Sequence, residues 1–142
     1  MAEAVFADTV KKHNLHSRVT HIDSFGTANY HVGDKSDNRT IDTCKRHNVP
    51  INHRGQQIKP KHFTEFDYIL CMDDSNLSNL KRIRPSDSNA VVAMFGEWRT
   101  DDQFDTIVDD PYYGGSDGFE TCYKQCVHFS KEFLKKELGV NI

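Results

Sequence analysis

Two short apolar runs, Tyr68–Met72 and Val91–Phe95, bracket a segment in which Leu77, Leu80 and Ile83 recur at helical spacing until Pro85 stops it. Runs of that length are buried strands, and strands separated by helices fold as a parallel sheet with helices over its faces. The rest of the chain continues the alternation. Met1 to about Asn14 has a helical pattern carried by Ala4, Val5, Ala7 and Val10, with no Gly or Pro to interrupt it. Val19–Phe25 reads as a strand closed by Gly26, and Asp37 as the cap of a helix to about Asn48, which Pro50 forbids from continuing. Pro60 suits the first turn of a short helix through Glu65, and Asp74 or Ser75 the cap of the helix ahead of Pro85. Ser116 opens a long helix with Phe119, Cys122, Tyr123, Cys126, Phe129, Phe133, Leu134 and Leu138 on its apolar side and Gly139 as its stop.

The 142 residues correspond to one domain, residues 1–142, with no repeat and no low-complexity tract. Lys and Arg number 18 against 21 Asp and Glu, so the formal charge of -3 gives no electrostatic case for nucleic acid or an anionic membrane. The longest apolar stretch, Ala90–Phe95, is far short of the ~20 residues that span a bilayer, and the opening residues lack a basic segment followed by an apolar core. The expectation is a cytoplasmic protein. Cys44, Cys71, Cys122 and Cys126 have no C-x-x-C spacing and read as reduced core thiols. The eight histidines form no metal-binding spacing, so no metal is implied.

Two features sit awkwardly in this scheme. Three strands are few for a sheet of this class, and the apolar pattern of the first helix runs from residue 1 with no capping residue and no strand before it. The most distinctive stretch is Val108–Glu120, V-D-D-P-Y-Y-G-G-S-D-G-F-E. Pro111 fixes the backbone and the glycines after it free the chain again, which holds Asp110 on a surface loop. Taken alone, such a loop is also satisfied by a solvated acid and tyrosines that cover the core.

Five segments together are more specific. M-A-E-A-V-F at the start, I-D-S-F-G-T-A-N-Y-H-V-G at 22–33, I-N-H-R-G-Q-Q-I at 51–58, F-D-Y-I-L-C-M-D-D-S-N at 66–76 and D-P-Y-Y-G at 110–114 resemble the eukaryotic-type low-molecular-weight protein tyrosine phosphatases, in order and over essentially the whole chain. The resemblance implies a three-layer α/β fold with a parallel sheet, normally of four strands. Its first, central strand would lead into a Cys-(five residues)-Arg-Ser-Pro loop just ahead of Met-Ala-Glu-Ala-Val-Phe. In that loop backbone amides hold the phosphate, the Arg pairs with its oxygens and the Cys thiolate attacks phosphorus. Here the loop and strand are absent, and the residues six places after the four cysteines are Pro50, Leu77, His128 and Glu132.

The resemblance also assigns residues. Asp110 matches the general acid and base of a protein tyrosine phosphatase or acid phosphatase, with Asp109 a solvated neighbour. Tyr30, Tyr112 and Tyr113 match the aromatic walls around a phosphotyrosine ring, and His31 lies in the variable part of that wall. Ser24 and His53 match residues that support the phosphate loop, and Asp73 a buried or half-buried polar group at a strand end, with a supporting role at most. The implied substrates are phosphotyrosine proteins or small aryl phosphates, with no cofactor. The expectation is therefore an N-terminally truncated phosphatase, inactive as a 142-residue fragment and prone to self-association. A non-catalytic pseudophosphatase that binds a partner is the alternative.

Overall fold

The strand–helix–strand unit stands at the centre of the computed structural model, which describes residues 1–26, 33, 38–51, 55–108 and 116–142, the side chains of 116 and 117 excepted. Strand β1 (Tyr68–Cys71) leads through helix α4 (Asp74–Ile83) to strand β2 (Val91–Met94), and the strands pair in parallel with Tyr68 opposite Val91 and Cys71 opposite Met94. Ahead of them lie helices α1 (Ala2–Lys12), α2 (Asn38–Arg46) and α3 (His62–Glu65). After β2 come a single 3-10 turn, Phe95–Trp98, and the long helix α5 (Ser116–Leu138).

The two-residue period of the strands sorts their side chains into two cores. Leu70, Met72, Ala93 and Phe95 face the first, where Val5, Val10, Cys126, Phe129 and Phe133 bring in α1 and α5. Ile69, Cys71, Val92 and Met94 face the second, beneath Leu77 and Leu80 of α4 and with Phe63 of α3. The layers are thus α1 and α5, sheet, α4. A third, smaller cluster of Ala4, Cys44 and Val49 seats α2 against α1 and Tyr123 of α5.

Helix ends follow local chemistry, in places one or two residues from the expected positions. α1 and α2 stop before Asn14 and Asn48, which take the left-handed conformation with φ of 56° and 58°. In each case the next N–H reaches back five residues, Leu15 to Val10 and Val49 to Cys44, at 2.9 and 2.8 Å. This is the Schellman closure, with asparagine in place of the usual glycine. The cap of α4 is Asp73, not Asp74 or Ser75: Asp73 has extended backbone and its carboxylate accepts the Asn76 N–H at 2.8 Å, whereas Asp74 is already inside the helix. Gly139, at φ 66°, ends α5 as expected.

The expected strand over Val19–Phe25 is not a strand. Among the described residues its surroundings offer one isolated parallel bridge, in which Gly26 donates to the Gln56 carbonyl at 2.7 Å and accepts from the Ile58 N–H at 2.9 Å. β-branched composition supplies strand propensity, but a ladder also needs a neighbouring backbone along its length. Among the described residues, β1 pairs with β2 only. No helix among them is long and apolar enough to cross a membrane.

Candidate active site

In open parallel sheets ligands bind beyond the carboxyl ends of the strands. Among the described residues, side-chain hydrogen bonds tie three segments together. The first turn of α1 carries Glu3, whose carboxylate accepts the Ser24 hydroxyl at 2.8 Å. Asp23 accepts both the Ser24 N–H, at 2.9 Å, and the Gln56 side-chain amide, at 2.8 Å, which joins residues 23–24 to the segment after α2. Ile22, Met1 and Met72 pack against the same core.

The approach to Asp110 is fixed on three sides. Val108 is buried and donates its N–H to the Met72 carbonyl, one residue past β1, at 2.9 Å. Gln125 of α5 donates its side-chain amide to the carbonyls of Ile107 and Asp105, at 3.0 and 3.2 Å. Gly96, just after β2, lies against the Thr106 backbone. Nearer the start of α5, Glu120 lies 2.9 Å from His47 Nε2 and 2.8 Å from the Arg46 guanidinium, and the His47 ring stacks on Tyr123 with centroids 3.7 Å apart. This clamp holds α2 to α5. The bond from His47, then the nearby Arg46 charge, draw the Glu120 carboxyl below its ordinary pKa.

The four thiols are buried. Burial, helped by the Asp73 carboxylate, pushes the Cys71 thiol to about 11, and burial likewise raises Cys44. Hydrogen bonding with Cys122 and burial raise Cys126 well above the ordinary value. A thiol nucleophile needs the opposite environment, which confirms these cysteines as packing residues.

Of the sequence candidates, Ser24 sits beside the start of α1, bonded to Glu3, and Asp73 caps α4. Asp110, Tyr30, Tyr112, Tyr113 and His53, with Asp109, His31 and the expected cap Asp37, lie outside the described residues. Glu3, Gln125 and Gly96 were not singled out by the sequence. Gln125 carried a legible signal: it falls three residues after Cys122 and four before Phe129, on the apolar face of its helix. A concavity of about 440 Å³ between Phe66, Asp67, Tyr68, Asn89 and Val91 opens at the opposite, amino end of the strands and holds none of these residues.

Residues 1–141 match the family described as low molecular weight phosphotyrosine protein phosphatase. This chain belongs to that family. It is 56% identical over 139 residues to the low molecular weight phosphotyrosine protein phosphatase of Saccharomyces cerevisiae, covering 97% of this chain and 86% of the relative. Identity to the Homo sapiens phosphatase of the same name is 41% over 138 residues, with coverages of 96% and 85%. The crystal structure of Primo-1 superposes with a TM-score of 0.89 at 39% identity, over 96% of this chain and 88% of that one. The phosphatase fold therefore accounts for the two-core arrangement around β1 and β2.

Proposed function

We propose that this protein hydrolyses phosphotyrosine through a phospho-cysteine intermediate, with Asp110 as general acid and then general base. A thiolate attacks phosphorus, the S–P bond forms as the P–O bond to the phenol breaks, and Asp110 gives its proton to the departing oxygen. Water then attacks the phospho-cysteine, Asp110 takes the proton, and inorganic phosphate leaves as the thiolate is restored. Tyr30, Tyr112 and Tyr113 wall the aryl ring, and Ser24 and His53 support the phosphate loop. Phosphotyrosine proteins and small aryl phosphates are the substrates. The observation that carries this reading is the likeness of residues 1–141 to a family of phosphotyrosine phosphatases.

The reading requires a nucleophile and a phosphate-binding arginine. No cysteine in the 142 residues has an arginine six places on. We expect residues 1–142 alone to be without turnover. The same feature of the sequence favours the second reading, a non-catalytic relative that binds a partner.

The test is to express the complete coding sequence, read upstream of Met1, and assay p-nitrophenyl phosphate and a phosphotyrosine peptide. Turnover of the phosphotyrosine peptide that falls about 10²–10⁴-fold in Asp110→Ala supports the enzyme. A stop codon directly ahead of Met1, together with no turnover, decides for the binding protein.

A further inference from the structure

Gln125 is a primary amide placed in the middle of the apolar face of α5, and it is only 5% exposed. A buried amide is retained where its donors have fixed partners. Here they are specific: both bonds go to main-chain carbonyls, Ile107 at 3.0 Å and Asp105 at 3.2 Å, of a segment with no helix or strand of its own. Irregular backbone packed against a core has few ways to satisfy its carbonyls, and α5 provides one by sacrificing an apolar position.

The geometry points to Gln125 as the positioning residue for the catalytic acid, an inference that rests on the reading of Asp110 as that acid. Asp110 is two residues beyond Val108 in the sequence. Val108 is held by the Met72 carbonyl just past β1, and Ile107 and Asp105, which precede it on the same path, are held from the helix by Gln125. α5 itself begins at Ser116, two residues past the last residue of the Asp-Pro-Tyr-Tyr-Gly segment, so one helix fastens the chain on both sides of the acid. General-acid catalysis depends on sub-ångström placement of the proton donor, and a misplacement of about 1 Å costs on the order of 10²-fold in rate. Gln125 touches no reacting atom. It acts through the backbone of residues 105–108.

Two variants test this in the protein expressed from its complete coding sequence. Gln125→Met keeps the volume and removes both donors, while Gln125→Asn keeps an amide too short to span both carbonyls and serves if the first does not fold. Hydrogen exchange of the Val108 amide is expected to accelerate at least about tenfold in both, because that bond opens with the segment. For phenyl phosphate, whose leaving group needs a proton, kcat/KM is expected to fall about 10–100-fold; for p-nitrophenyl phosphate, which needs one far less, about threefold or less. Equal losses on both substrates overturn the positioning role and leave a structural one. Unchanged exchange overturns the staple itself. A wild-type protein with no turnover on either substrate overturns the phosphatase reading and the catalytic half of this proposal with it, while the exchange result still decides the staple.

Discussion

Gly96 and Thr106 touch backbone to backbone: a β-carbon built on Gly96 would overlap the Thr106 carbonyl oxygen and stand 2.6 Å from its carbonyl carbon. This close approach lets the chain from the 3-10 turn fold back over the end of β2 and reach Val108. No side-chain rotation relieves such a clash, since every opposing atom belongs to the main chain. Gly96→Ala is therefore expected to destabilise the protein by about 3 kcal/mol, the upper part of the range for overpacking. Urea denaturation measures it, and a loss below about 0.5 kcal/mol would show that the segment is free to move aside.

Much of the architecture was legible because its signals are local. The switch from apolar runs to helical spacing and back marks β1, α4 and β2, and the eight-residue apolar face of α5 announces a helix buried along one side. Val19–Phe25 shows where this fails: its composition suits a strand, but ladder formation depends on a neighbour elsewhere in the chain. Gly96 is illegible for the same reason, since only the fold brings Thr106 against it. The Ser24–Glu3 bond joins residues 21 apart, and nothing in either local sequence predicts it. Asn14, Asn48 and Asp73 were legible in principle, as asparagine tolerates left-handed backbone and aspartate caps helices.

The α2–α5 clamp has a pH dependence of definite sign. Glu120 has its pKa lowered, first by the bond from His47 and then by the charges of His47 and Arg46. A carboxyl depressed in the folded state adds stability above its unfolded pKa and loses it as the pH falls through the folded value. The contribution is therefore complete above about pH 5 and disappears progressively below 4.5, the ordinary glutamate value. The pair is a third exposed, so Glu120→Gln is expected to cost under about 1 kcal/mol at pH 7. As the pH falls through the lowered Glu120 pKa, wild type and variant should converge. Thermal melts at pH 7 and pH 3.5 check this, and a gap that widens on acidification would contradict it.

Ser130 lies in α5 fully buried, with no hydrogen-bond partner for its hydroxyl among the described residues. A buried donor without a partner costs about 1–3 kcal/mol, and alanine is the better helix former by about 0.5 kcal/mol. Ser130→Ala is expected to leave stability unchanged or raise it by about 1 kcal/mol, in contrast to most core substitutions. A destabilisation above 1 kcal/mol, measured by chemical denaturation, would mean that the hydroxyl is bonded after all.

β1 is paired on one edge only among the described residues, and Ile22 and Leu70 remain half-buried beside the first core. An unpaired strand edge next to apolar side chains is a template for another chain, because both its backbone groups and its apolar surface gain by being covered. The 142-residue polypeptide is accordingly expected to self-associate. Sedimentation velocity over a hundredfold range of protein concentration should show species larger than a monomer at the upper end, and the melting temperature should vary with concentration. A sharp, reversible, concentration-independent transition of monomeric 1–142 would show that the edge is already covered.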